Sequence, residues 1–239
     1  MKRIGVLGGM SPQATMDFEA RVHSRSQQLV PQHWNAGYPP MVVWYHRRLP
    51  VRVGEDGRPI VPMEIDPQLV DAAVWLGKGV DFLVIPCNAA HAGLAAIRNA
   101  AGCPVVSMID VTVDDVARRG WQRVGVLGFN SAPPLYVDSL GQRGLRCETI
   151  DTRLQARLDA AIQAVMEGRD GPVEAEAARA AVQVLRARPV EGVVLGCTEI
   201  PLLLGGEAEA TDLVNPVELL AEAAVRLAVG GPVAAASGR

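Results

Sequence analysis

The chain has 239 residues, of which 49% are apolar, 21% charged and 4% aromatic, a composition that supports a large aliphatic core and excludes disordered and fibrous classes. Twenty-six acidic against 23 basic residues leave a net charge of −3, too balanced to hold a polyanion, so nucleic acid is not an expected partner. No run approaches the roughly 18–20 uninterrupted apolar residues that span a bilayer, and Ile4–Met10 is too short and glycine-rich for a signal segment; no membrane partner is expected and a cytoplasmic location is the default.

The chain opens on Ile4-Gly5-Val6-Leu7-Gly8-Gly9, a short apolar run ending in glycines, then Ser11-Pro12 and a helical stretch from Gln13 to about Leu29. This predicts a strand, a turn and a helix. Pro40–Tyr45, Val80–Ile85 and Val105–Ile109 read as further strands, and Pro67–Leu76 and Ala90–Ala101 as helices between them. Such alternation predicts a mostly parallel sheet covered on both faces.

From Val124 the pattern restarts: Val124-Gly125-Val126-Leu127-Gly128 repeats the opening strand. Further on, Asp81–Asn88, with its Pro86-Cys87-Asn88 end, is echoed by Glu191–Thr198, with Gly196-Cys197-Thr198. The span from the opening glycine to the cysteine runs from 5 to 87 in one half and from 125 to 197 in the other. The expected fold is therefore α/β, with two similar doubly wound domains of mostly parallel sheet related by a pseudo-twofold axis and an active site in the cleft between them. The first domain is expected to comprise residues 1–113 plus 213–230, the second 114–212, with the last helix, Val217 to about Val229, packing back on the first domain. The small-residue tail, 231–239, should be frayed.

Gly5-x-x-Gly8-Gly9 departs from the G-x-G-x-x-G spacing of dinucleotide sites, and no ribose-binding acid closes a second strand about 20 residues on, where Gln27–Gln32 lies. Two readings of the loop stay open, a tight strand-to-helix turn and a small-anion loop in which Met10, Ser11 and the following amides hold a carboxylate.

The four cysteines, Cys87, Cys103, Cys147 and Cys197, form no C-x-x-C pair, so zinc-knuckle and thioredoxin-type sites are excluded and no metal is expected. Cys87 and Cys197 fall beyond the carboxyl ends of predicted strands, where ligands gather in parallel α/β sheets and where helix N-termini favour thiolates. Both have polar neighbours, Asn88 after one and Thr198-Glu199 after the other; Cys103 and Cys147 lack such company and read as structural. One thiol per half suits inversion at carbon, with one thiolate removing a proton from one face while the other thiol delivers a proton to the opposite face. Pyridoxal chemistry would need an aldimine lysine, and the only lysines, Lys2 and Lys78, lie away from the predicted crevice. No cofactor is expected.

The segments Ile4–Thr15 (IGVLGGMSPQAT), Pro86–His91 (PCNAAH) and Gly196–Pro201 (GCTEIP) resemble the aspartate/glutamate racemase family, with likeness running from Lys2 to about Val229. The resemblance implies a cofactor-independent amino-acid racemase of two similar α/β domains with Cys87 and Cys197 as its acid/base pair, acting on an amino acid, in the first instance aspartate or glutamate. By the same carry-over Asn88 and Thr198 hold the substrate's α-carboxylate and amino group, Met10 and Ser11 line the cleft, Arg52 takes the distal carboxylate, and Glu199 supports Thr198 or the thiol. Family members are often dimers, so a homodimer is compatible with it.

The chain departs from the family pattern at Ala89, where a threonine hydroxyl is usual, at Asn215-Pro216 in place of D-P, and at Glu167-Gly168-Arg169, where Arg169 stands in place of a lysine. These departures bear on the substrate's side chain. His46 and His91, the latter four residues beyond Cys87, are auxiliary candidates, His91 as a group that orients the thiol or as a structural histidine; Arg47 and Arg48 read as a solvated loop. The same resemblance leaves hydantoin racemase, decarboxylase and dicarboxylate cis-trans isomerase as alternatives, and a non-catalytic amino-acid-binding protein as a further one.

Overall fold

The computed structural model describes residues 1–54, 60, 64–130 and 134–230; the expected tail, 231–239, lies outside them. In chain order the elements are β1 (Ile4–Gly8), α1 (Pro12–Leu29), β2 (Met41–Tyr45), α2 (Pro67–Gly77), β3 (Phe82–Val84), a 3-10 turn (Ala89–Gly93), α3 (Leu94–Ala101), β4 (Val105–Val106) and α4 (Met108–Arg118). The second series is β5 (Arg123–Leu127), α5 (Pro134–Gln142), β6 (Arg146–Glu148), α6 (Thr152–Met166), α7 (Pro172–Arg186), β7 (Gly192–Leu195), α8 (Ile200–Leu204), a 3-10 turn (Gly205–Glu209), β8 (Leu213–Val214) and α9 (Pro216–Ala228). Two compact units result: Met1–Met108 together with the chain from Val217, and Ile109–Pro216.

Each unit is built on a four-stranded sheet, in the order β2-β1-β3-β4 in the first and β6-β5-β7-β8 in the second. All the pairings within both sheets are parallel. Every residue of β1, β3 and β7 is buried, without the in–out alternation of a sheet wetted on one side, so both faces of these central strands are covered. β2, at an edge, is half-buried throughout. The first core joins Leu7, Leu83 and Ile85 to Leu69, Ala73 and Leu76 of α2 and Ile97 of α3, with Cys87 packed at its margin. The second joins Leu127, Val193 and Leu195 to α6 and α7 and includes Cys197 itself.

Helix α1 follows from local chemistry. Ser11 is its cap, accepting from the Ala14 amide at 3.3 Å, and Pro12 occupies the first turn, where its missing N–H costs nothing. Ala14, Phe18 and Val22 then recur every four residues on its buried face. From the other end of the first unit, Glu218 of α9 pairs with Arg21 at 2.5 Å and with Arg25, and the Lys2 amide donates to the Ala228 carbonyl at 2.7 Å.

Two expected elements change. The strand expected over Val105–Ile109 ends at Val106 and the chain enters α4 at Met108, because the buried His91 ring accepts the Met108 amide at 2.9 Å and so satisfies one of the donors a helix start leaves over. The helix expected over Ala90–Ala101 is divided at Gly93 into a 3-10 turn and α3; a Cβ at Gly93 would stand 2.6 Å from Ile65 Cγ1, so the chain pivots where that side chain presses in.

The strand-to-helix turn after β1 is held by one hydroxyl. Thr15 Oγ1 accepts from the Gly9 amide at 2.8 Å and donates to the Ser11 carbonyl at 3.0 Å. Gly9 has φ +80°, and a Cβ there would lie 2.5 Å from the His46 nitrogen, a clash with backbone added to a conformation that L residues avoid. Gly9→Ala is expected to lower the unfolding free energy by about 2 kcal/mol or more, measured by urea denaturation; a loss below about 0.5 kcal/mol would show that the turn relaxes.

Candidate active site

In each sheet the chain leaves the first strand for a neighbour on one side and returns to a neighbour on the other: β1 to β2 and then β3, β5 to β6 and then β7. Loops at the carboxyl ends of such a strand pair diverge and leave a crevice, the usual ligand position of open α/β sheets. The registers Val6↔Val84 and Leu127↔Leu195 place Gly8-Gly9 beside Ile85-Pro86-Cys87, and Gly128 beside Gly196-Cys197. Each unit thus presents one cysteine at its switch point. The strands end at Val84 and Leu195, so the thiols belong to the loops rather than to the strand ends.

In the first unit Cys87 is half-buried and its amide donates to the Ile85 carbonyl at 2.8 Å, which turns the loop sharply. Asn88 beside it is buried, and Ala89 opens the 3-10 turn. His91 is buried with both ring nitrogens engaged: Nε2 accepts from the Met108 amide, so Nδ1 carries the proton and donates to the Cys87 carbonyl at 2.9 Å. That pairing makes His91 a neutral brace for the cysteine loop. A 3-10 turn replaces the α-helical N-terminus expected after Cys87, which weakens the expected pull of aligned amides on that thiol.

In the second unit Cys197, Thr198 and Glu199 are all buried. Cys197 Sγ donates to Glu199 Oε2 at 3.0 Å, and Thr198 Oγ1 donates to the same oxygen at 3.1 Å, while Glu199 Oε1 is buried without a hydrogen-bond partner. Gly196 is required by close approach, since a Cβ would fall 2.6 Å from the Leu127 carbonyl oxygen and 3.2 Å from the Tyr136 ring. Tyr136, from the first turn of α5, is fully buried; burial pushes its phenol far above the ordinary range, opposed by a hydrogen bond with Thr112 and reinforced by the neighbouring Cys197. Sequence reasoning passed over Tyr136 and Thr112, although an aromatic in a chain with so few was a usable signal.

The remaining candidates lie as follows. Met10 is half-buried in the turn after β1, and the Ser11 hydroxyl is committed to capping α1. Arg52 is exposed and pairs with Glu64 at 2.7 Å; Arg169, in the α6–α7 turn, is exposed and pairs with Glu167 through Nε at 2.8 Å. Arg47 stacks over the Tyr45 ring at 4.6 Å, and Arg48 reaches Asp66 at 2.9 Å. No disulfide joins the cysteines; Cys103 and Cys147 are half-buried, and burial raises both thiols, with Asp81 adding to the effect at Cys103. No described helix is long and apolar enough to cross a membrane.

His46 follows β2 and is buried with Nε2 3.4 Å from Asp66 Oδ2. Burial holds its imidazole below the ordinary value of 6.5, only partly opposed by Asp66. At Asp66, the capping bond from Gln68 and the pair with Arg48 outweigh burial and keep the carboxyl below its ordinary value. Both groups bind protons less readily folded than unfolded, so stability rises with pH and is lost as pH falls from about 6.5 through the folded-state value of His46 and then that of Asp66. Replacing His46 with Gln should flatten the urea-derived stability between about pH 6.5 and 5; an unchanged slope there would remove His46 as its source.

The family described as Asp/Glu/Hydantoin racemase matches residues 7–224 of the chain. Among curated relatives, the broad specificity amino-acid racemase RacX of Bacillus subtilis (strain 168) is 33% identical over 114 residues, 47% of this chain and 48% of that one. A glutamate racemase of Beutenbergia cavernae is 32% identical over 158 residues, 62% and 51% of the two chains. The chain thus spans about half the length of these relatives. Among solved structures, an aspartate racemase of Picrophilus torridus superposes with a TM-score of 0.79 at 20% identity, covering 98% of this chain and 96% of that one. An aspartate racemase homologue from Pyrococcus horikoshii OT3 gives 0.75 at 21% identity, covering 96% and 100%. A maleate isomerase from Pseudomonas putida S16 shares the fold at 0.61 and 16% identity, covering 97% and 94%.

Proposed function

The chain belongs to the Asp/Glu/Hydantoin racemase family, and from that membership we propose that it racemises an α-amino acid without a cofactor, using Cys87 and Cys197 as its two acid/base groups. The observation that supports this most directly is that both units bring a cysteine, followed by a buried polar residue, to the switch point of an identically ordered sheet. In the forward direction a thiolate at one cysteine breaks the Cα–H bond and becomes a thiol. The thiol at the other gives its proton to the opposite face of the carbanion, and the roles exchange for the reverse reaction. Asn88 and Thr198 bind the α-carboxylate and amino group, with Met10 and Ser11 at the margin of the site and Glu199 steadying the second thiol.

Side-chain selectivity follows from how the cations are held. A substrate carboxylate that met Arg52 or Arg169 would displace Glu64 or Glu167 from an exposed ion pair, and such pairs are worth about 0–1 kcal/mol. The exchange costs little and gains little. Aspartate and glutamate are accepted, with an advantage over neutral amino acids no greater than roughly tenfold.

In heavy water the enzyme is expected to exchange the α-proton of several amino acids, aspartate and glutamate among them, read by NMR. Cys87→Ser and Cys197→Ser should each lose at least 100-fold in racemisation, within the scale of a general acid–base group, while still binding substrate. Exchange with no amino acid in the panel, or exchange indifferent to both substitutions, would leave a binding protein as the better reading.

A further inference from the structure

The chain has three phenylalanines, and two of them, Phe18 and Phe82, are fully buried. The third, Phe129, is 41% exposed and comes two places after Leu127, the last residue of β5. A single exposed aromatic ring on a surface needs no explanation by itself. This one stands at the carboxyl end of a central parallel strand, where ligands of open α/β sheets gather. We propose that Phe129 is a specificity-determining residue, that its ring receives the apolar side chain of an amino-acid substrate, and that leucine-like side chains are therefore preferred to small ones such as alanine.

Strand geometry brings the ring to the level of the cysteine. β5 and β7 pair in parallel with Leu127 opposite Leu195, and the Gly196 amide carries the ladder one step on by donating to the Leu127 carbonyl at 2.8 Å. Leu127, Val193, Leu195 and Cys197 belong to one core cluster, as residues two apart on a shared face do. Phe129 follows Leu127 by two places, as Cys197 follows Leu195. The alternation carries both to the same level of that face, on strands about 4.8 Å apart. In the first unit the equivalent place after β1 is Gly9, which offers only backbone.

The turn is built to hold the ring still. Asn130 takes a left-handed conformation, φ +63°, which asparagine adopts more readily than most side chains. Its amide donates to Asp159 Oδ1 at 2.8 Å. Gln155, one turn earlier on α6, donates through Nε2 to the Gly128 carbonyl at 2.8 Å and to the same Asp159 oxygen at 2.7 Å. The backbone on either side of Phe129 is thereby tied to α6, and a ring with two torsions on a tied backbone loses little freedom when a ligand packs on it. The charged group that these bonds bring to the turn is the Asp159 carboxylate, so a second carboxylate gains nothing there and an uncharged side chain meets no repulsion.

The inference rests on the two-thiol reading, which sets the substrate's Cα against Cys197, and adds the class of side chain. With that carbon about 3–3.5 Å from the sulfur, a leucine side chain reaches across one strand spacing to the ring, and the methyl group of alanine stops short.

Binding and turnover are read separately in the test. Titration calorimetry with racemic leucine and with racemic alanine, each already at its racemisation equilibrium, is expected to show leucine bound at least about tenfold more tightly. Phe129→Ala should weaken leucine about tenfold and alanine less than about twofold, and Phe129→Leu, which restores an apolar side chain, should recover most of the leucine affinity. A merely structural role would move both ligands together. Equal affinities in the unmodified chain, or no measurable binding of either ligand, overturn the proposal, as does a folded Phe129→Ala chain that loses neither ligand or both alike. Exchange of the α-proton in heavy water decides the proposed function apart from this. A chain that prefers leucine through Phe129 and exchanges nothing refutes racemisation alone; one that exchanges leucine and alanine equally well with or without the ring refutes the specificity alone.

Discussion

The site depends on the parallel strand order, repeated as β2-β1-β3-β4 and β6-β5-β7-β8. Because β1 and β5 have their successors on opposite sides, the backbone must part at their carboxyl ends, and nothing in the sheet itself fills the gap. The glycines follow from that constraint. Gly9 carries the chain away from β1 in a left-handed conformation hard against the end of β2, and Gly196 lets the Cys197 loop pass the last carbonyl of β5. A side chain at either place would push the loop off the sheet before any chemistry could be arranged on it.

On this common frame the halves have been finished differently. The first closes its cysteine loop with an imidazole that joins a carbonyl to the first amide of α4; the second closes with a carboxylate that accepts hydrogen bonds from the thiol and hydroxyl of its own loop. The imidazole brings no net charge to its loop. A buried carboxylate does bring one, and so the two halves, alike in topology, differ in the group that braces the cysteine loop.

Much of this was legible in the sequence because strand periodicity and glycine punctuation are local signals. The repeated Ile4–Gly8 and Val124–Gly128 runs gave away two sheets, and the polar company of Cys87 and Cys197 set them apart from Cys103 and Cys147. The missed features depend on contacts distant in the chain. The end of β4 at Val106 depends on His91, and the pivot at Gly93 on Ile65. Tyr136 gains its meaning only from Gly196, sixty residues on, and no spacing rule would have paired Arg52 with Glu64 as a self-neutralising couple. Charge in a sequence reports supply; its partner decides what is left for a ligand.

The hydrogen bond from Cys197 to Glu199 also bears on oxidative damage. Peroxide attacks thiolates far faster than thiols and must reach the sulfur to do so. A buried sulfur whose hydrogen is donated to a carboxylate is a poor target on both counts, and the half-buried Cys87 is the more accessible of the two. Under oxidants the first lesion therefore falls on the more accessible thiol, Cys87, and leaves the buried sulfur of Cys197 intact.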